Sequence, residues 1–487
     1  MKVKTFVSLV AGVMFFSVSV SQNMIGSFSA TGAGYSSTVL TDYQTVGLNP
    51  ANLGWKHNSH LINFGIAETG FTVYSEPLKR SLVKELWGSN ENQLNTLEEK
   101  DEAAELFSNT RLEVQGSVDG IGLSFQDEKI GGFAITAKEK LYWNSKLGDM
   151  VADIIFKGYN ADYFDSLAVS PEGDTVGWAT APALISDLVE NTHISLQWYR
   201  EYNLSYGRSI INKENISIYA GVGFKYLEGY NMFKFGYEEG NEYIAAAALN
   251  PAVGIAFGPT PSAVEGSKYQ AIGHGWGLDF GISAFLFKQL RIAASLIDYG
   301  SITWDGNVYT VSNDFVKNIT DEGLNSYSIF DLQNTGSFDN LKWGGWEGAE
   351  SYTTDLPMNM RFGASYILKS KYEFGTDVYV PMNKTAPGAY TNTMFGLGTR
   401  LMPVKWMRFS AGFVYGGETG YAIPAGISFF PFNNSSFMWE LGFAIRDVAT
   451  YFDQTKPTVS VALGLLRFSF GNLSKKSAGS ETENAGG

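Results

Sequence analysis

No cysteine occurs among the 487 residues. That excludes disulfides, thiol catalysis, cysteine-based metal sites and a lipidated N-terminal cysteine. Histidine is scarce: His57, His60, His193 and His274 are the full set. No cluster of ligand-type residues with metal spacing accompanies them, so neither a metal nor another cofactor is expected. Long hydrophobic runs are also missing. Beyond the stretch from Phe6 to Val20, nothing approaches the roughly 18 uninterrupted apolar residues of a membrane-spanning helix. Basic residues are outnumbered, 35 Lys and Arg against 49 Asp and Glu, and the resulting charge of −14 argues against a nucleic-acid partner.

Glycine and aromatic residues are plentiful, at 54 residues and 15%, and they are arranged with a period of two. Met358, Met360, Phe362, Ala364 and Tyr366 alternate with Asn359, Arg361, Gly363 and Ser365. Met407, Phe409, Ala411, Phe413 and Tyr415 alternate with Arg408, Ser410 and Gly412, and Phe437, Trp439, Leu441 and Phe443 with Glu440 and Gly442. Successive strand side chains point to opposite faces, so this is a β pattern. One face is greasy; the other mixes Gly and Ser with Arg361, Glu373, Asp377, Arg400, Arg408, Glu440 and Arg446. A soluble two-layer sheet would have to bury those charges or leave rows of Phe, Tyr and Trp in water, and both are costly. A closed antiparallel barrel in lipid avoids both, with the polar face lining its lumen.

Candidate strands fall near 60–74, 111–126, 129–144, 194–209, 215–229, 275–287 and 290–304, with seven more between 358 and 470. The total is about fourteen. Every second connection is short (Asp127-Glu128, Asn212-Lys213, Lys288-Gln289, Ser370-Lys371, Pro403-Val404), and the others are longer, up to 305–356. Tight periplasmic turns and extended extracellular loops have this rhythm. Lys2 and Lys4 before the apolar run, with Ser19 and Ser21 ahead of Gln22, predict a signal peptide over 1–21. The expected order is then a Gly/Ser-rich N-terminal segment over 22–58, the transmembrane barrel over 59–473 and a disordered periplasmic tail over 474–487. The N-terminal segment either folds back into the lumen as a hatch or hangs as a loose tail. The connection from Leu78 to Phe107 reads as one or two amphipathic surface helices. The stretch 243–257, with Tyr243, Ile244, Val253, Ile255 and Phe257, either forms a greasy access site on the outer surface or packs as a loop helix.

Four departures break the alternation. Arg200 and Asp298 fall on the greasy face of their strands, the last strand slips by one after Leu465, and Pro424 sits mid-strand where it forfeits a ladder bond.

The combination resembles the FadL-like superfamily of outer-membrane proteins. Asn49-Pro50-Ala51 with Leu53 is similar to the hatch motif of that superfamily. Tyr199-Arg200-Glu201-Tyr202, Lys225-Tyr226-Leu227 and Asp298-Tyr299-Gly300-Ser301-Ile302-Thr303-Trp304 resemble a Bacteroidota family of unknown function within it. The resemblance implies a fourteen-stranded barrel with an N-terminal hatch in the bacterial outer membrane. Partners implied there are outer-membrane lipid, including lipopolysaccharide, together with a small hydrophobic ligand or other envelope proteins.

Catalysis has little to stand on. A rim protease or lipase needs a histidine beside Asp or Ser, and although Ser195 and Asp279 are close to His193 and His274 in sequence, nothing fixes their geometry. No enzyme is expected. The inward charges either pair with one another and with the hatch or line a polar conduit. Two functions remain open: passive uptake of small hydrophobic compounds, and a non-transporting barrel that docks envelope or secretion-system proteins.

Overall fold

The computed structural model describes residues 27–55, 60–76, 96–169, 175–181, 183, 185–237, 243–254, 256–311, 346–369, 371–417, 420–452 and 458–471. The expected signal peptide, the C-terminal tail, His57, Ile255 and the first part of the Leu78–Phe107 connection lie outside these residues.

The strands, in chain order, are β1 (His60–Ser75), β2 (Arg111–Asp127), β3 (Gly131–Lys146), β4 (Ser166–Val169), β5 (Thr175–Trp178), β6 (His193–Asn212), β7 (Ile216–Tyr237) and β8 (Tyr243–Ala248). They continue as β9 (Gly273–Leu286), β10 (Leu290–Trp304), β11 (Val308–Val311), β12 (Trp346–Ala349), β13 (Tyr352–Asp355) and β14 (Asn359–Leu368). The last are β15 (Tyr372–Pro381), β16 (Met394–Val404), β17 (Met407–Gly416), β18 (Tyr421–Ala422), β19 (Ala425–Asn433), β20 (Phe437–Ile445) and β21 (Thr458–Gly471). Every barrel strand pairs antiparallel with its neighbours, and β21 returns to β1, so the sheet closes on itself. With β13 and β14 counted as one interrupted strand against β10, and β18 and β19 as one against β17, fourteen strands make the wall. Closure leaves no edge with unpaired amides, the condition for a sheet to sit in hydrocarbon.

The alternation maps onto this wall as inside and outside. Phe395, Leu397, Phe409, Phe413 and Phe443 are 54, 57, 39, 41 and 44% exposed, so they share no sealed nucleus and face outward. Arg361, Glu373, Asp377, Arg400, Glu440 and Arg446 are buried and Arg408 nearly so. A charge on the outer face near the bilayer midplane would cost about 2–4 kcal/mol, which keeps each strand in register.

The departures resolve locally. Asp298 adopts a left-handed φ of 61° where the β9–β10 register shifts between Leu296 and Tyr299. This bulge turns its carboxylate inward, to 1% exposure. Arg200 does stay on the outer face, tied to Glu139. Leu465 and Leu466 are both exposed, at 54 and 43%, and the slip in β21 lies beside shifts in β20 and β2 and a left-handed Ala67 in β1. Pro424 lies with Ile423 in the two-residue break between β18 and β19.

Long connections gather at the end opposite the short turns. The helix Leu97–Phe107 starts on a capping box of Thr96 and Glu99 and packs Phe107 on Phe156 of the helix Asp149–Lys157. Lys157 bonds Asp101, Asp153 and Asp162 at 3.0, 2.7 and 2.8 Å. Burial works against its ammonium, but the three carboxylates outweigh that and raise its pKa above the ordinary lysine value. The stretch 243–257 is no loop helix. Its first part is β8, paired between β7 and β11, followed by a single tight turn at Pro251–Val253.

Candidate functional site

Residues 27–55 form three short helical turns, Phe28–Thr31, Tyr43–Thr45 and Pro50–Gly54, started by side chains of Ser27, Asp42 and Asn49 that accept backbone N–H bonds. Their polar partners lie on strands all round the ring. Asp377 of β15 accepts from the Ser36 and Ser37 amides at 2.7 and 3.0 Å. Ser295 of β10 donates to the Leu48 carbonyl at 2.7 Å, and Gln126 of β2 to those of Leu53 and Trp55 at 3.1 and 2.9 Å. Arg467 of β21 pairs with Asp42, and Tyr43 donates to Glu68 of β1. Contacts on opposite walls place this segment across the barrel interior.

The wall receives it through glycine. Gly65 and Gly122, cross-strand partners on β1 and β2, face the Tyr43 ring; Gly442 and Gly464, partners on β20 and β21, face Phe28. Gly375 faces Tyr35, its partner Gly398 lies on the Ala33 carbonyl, and the pair Gly221 and Gly281 lies against Asn49 and Pro50. A Cβ at any of these would collide with the segment. Side chains have been omitted from the wall in register pairs, which leaves sockets shaped to the segment.

Asn49 completes the fit. Its amide donates to Ser283 Oγ at 3.0 Å and its carbonyl oxygen accepts from the Ala51 amide at 3.1 Å. Asn52 donates to the Ser37 carbonyl at 2.8 Å. Pro50, Ala51 and Leu53 are buried beside it, with Ala51 and Leu53 at 0 and 1% exposure. Of the inward charges, Arg408 and Arg467 share Glu440, Glu373 takes Arg291 at 3.2 Å, and Arg361 lies over the Tyr379 ring at 5.2 Å. Arg446 lies over Tyr390 at 5.9 Å, and Arg400 pairs across the ladder with Ser410 and Glu373.

Towards the long connections a second charged layer appears that the sequence reading did not single out. Lys225 contacts Asp279 at 2.9 Å and also Asp298, while Lys140 contacts Glu201 at 2.8 Å, all but fully buried. Strand parity gave the signal: Ser217, Tyr219, Gly221, Gly223 and Lys225 share the inner face of β7. Above this layer the mouth is apolar. Trp304, Tyr199, Leu227 and Met232 are fully buried there together with Tyr142 and Leu356. The connection after β15 folds in beside them, placing Gly388 on the Tyr142 ring and Tyr390 against Gln115.

Of the residues proposed for outer access, Ile244, Val253 and Phe257 have described side chains. Val253 is 48% exposed, Ile244 half-buried, and Phe257 stacks on Trp346 at 4.6 Å and meets Tyr309 edge-on. Tyr243 opens β8. The histidines form no catalytic grouping among the described residues. His60 bonds the Asn434 carbonyl at 2.9 Å, His274 lies 3.9 Å from Asp305, and Asp279 is committed to Lys225. No described group of three or more His, Asp or Glu is placed to hold a metal.

A family of unknown function (DUF5723) matches residues 62–435. Among solved structures the chain is similar to the deltaS2S3 mutant of the monoaromatic hydrocarbon channel TodX, at 10% identity and a TM-score of 0.47 over 93% of this chain and 100% of that one. It is similar to the Pseudomonas putida toluene transporter TodX (10%, 0.40, 93% and 98%). A FadL homologue of Pseudomonas aeruginosa gives 9% identity, a TM-score of 0.43, and 93% and 99% coverage. No curated protein matches. Likeness at this level carries no information about a ligand.

Proposed function

The chain belongs to the family of unknown function DUF5723, and from that premise we propose that it is an outer-membrane barrel held shut by its own N-terminal hatch, with its work done by the assembly of long connections outside. One observation carries this reading: the chain's own side chains occupy both ends of the interior, with socketed residues 27–55 at one and the Trp304 cluster at the other. A wall with an unbroken ring of paired strands adds support. In this reading the barrel anchors a platform for another envelope protein. The test combines planar-bilayer conductance and uptake of a fluorescent fatty acid into proteoliposomes with crosslinking on intact cells. Silence in the first two and a defined protein adduct in the third are expected. Uptake by the wild-type protein would overturn it.

A second reading, uptake of small hydrophobic compounds, is favoured by one feature. Register shifts in β20, β21 and β2 and the left-handed Ala67 of β1 lie side by side, so the ladder is irregular along one line. If solute leaves there, a Gly70→Cys/Ala462→Cys bridge between paired residues of β1 and β21 abolishes uptake until reduced.

A further inference from the structure

On the outer face of β3, β6 and β7 a charged and aromatic cluster stands where lipid-facing residues would be expected. About ten tilted strand residues cross the hydrocarbon core. Counted from the short turn after Asn212, that length brings Tyr202 and Tyr226 to the far boundary, and Arg200, Glu139 and Glu228 just past it. Arg200 Nε lies 2.6 Å from Glu139, and its Nη1 3.8 Å from Glu228. Trp198 Nε1 donates to Glu139 at 3.1 Å, and the Tyr230 and Tyr202 hydroxyls to Glu228 at 3.1 and 3.4 Å. Tyr269, from the connection before β9, stacks on Tyr230 at 4.7 Å and 17° and packs on Trp198 at 5.2 Å. Tyr269 itself remains 46% exposed, and Tyr202 39%.

We propose that this cluster binds the saccharide headgroup of a glycolipid in the outer leaflet. Two carboxylates against one guanidinium leave the patch net negative, which disfavours a phosphate and suits hydroxyl donors. Accessible ring faces beside fixed carboxylates match a sugar, whose C–H face is apolar and whose rim is hydroxylated. An interfacial girdle needs only separate Trp and Tyr rings; it does not need a buried Tyr230, at 3% exposure, clamped between Arg200 and a loop tyrosine. The inference rests on the reading that the long connections face outward.

The test uses the full-length protein in nanodiscs with three probes: lipopolysaccharide bearing core sugars, lipid A without them, and phosphatidylglycerol. Native mass spectrometry is expected to show preferential retention of the core-bearing lipid. Tyr269→Ala should weaken that retention about tenfold, as loss of a stacked ring does, and leave phosphatidylglycerol unchanged. Glu139→Gln gives a second variant if Tyr269→Ala alters the loop. Equal retention of lipid A, or wild-type retention by both variants, overturns the proposal. Orientation is read separately. With no native cysteine, Val169→Cys, 73% exposed in the β4–β5 hairpin, should react with an impermeant maleimide on intact cells; absence of labelling overturns the leaflet assignment whatever the lipid result.

Discussion

The two ends of the barrel interior are filled by opposite means. Near the short turns the wall gives up side chains, and a separate stretch of chain fills the space with Phe28, Tyr35 and Tyr43. Near the long connections the wall and its extensions supply the bulk themselves, through Trp304, Tyr199 and Met232. Closure by sockets is specific to one occupant and in principle separable from it. Closure by wall residues is part of the fold and cannot be withdrawn without unfolding it. The separable part is at the socketed end.

Three substitutions sharpen this contrast. Trp304→Ala should cost most, about 3–5 kcal/mol, since its ring is fully buried and its Nε1 donates to Thr354 at 2.9 Å. It should lower the unfolding midpoint in detergent yet leave the barrel non-conducting, because the socketed end still closes it. Gly65→Ala should weaken the seating of residues 27–55 by about 1–3 kcal/mol through overpacking against Tyr43, and here conductance should appear while the unfolding midpoint of the barrel stays near that of the wild type. Conductance from Trp304→Ala and none from Gly65→Ala would invert the comparison. Asn49→Ala should be mildest, about 0.5–2 kcal/mol, from a lost cap; protease access to residues 27–55 should rise while the heat-modifiable barrel band on gels is unchanged.

The wall was legible because lipid enforces a period of two, and each strand carries that signal without help from its neighbours. Phe395 and Leu397 could be placed outside, and Arg361 and Asp377 inside, from parity alone. Asp298 and Leu466 show where parity fails, since a bulge reverses the sides at the cost of one residue and leaves little mark in composition. The interior was less legible. Inward glycines were visible, but their pairing into sockets depends on strand register, which unites Gly65 with Gly122 only after folding. The ion layer around Lys225 likewise combines β3, β6, β7, β9 and β10. No local pattern reports a grouping drawn from residues more than a hundred positions apart. The stretch 243–257 left a loop helix open because its apolar residues carry no clear period, whereas β7 and β11 offered Tyr243–Ala248 backbone to join.

Arg467 to Asp42 and Glu68 to Tyr43 lie on either side of the seam where the last strand meets the first. That seam joins the two strands furthest apart along the chain, so among the ladders of the wall it carries the largest loop-closure cost. A staple reaching both halves rewards completion, so insertion of the barrel and seating of its contents become one cooperative event. Asp42→Asn is accordingly expected to prolong the lifetime of an unsealed assembly intermediate on the membrane-insertion machinery, a kinetic defect visible in pulse-chase even where the finished barrel is sound.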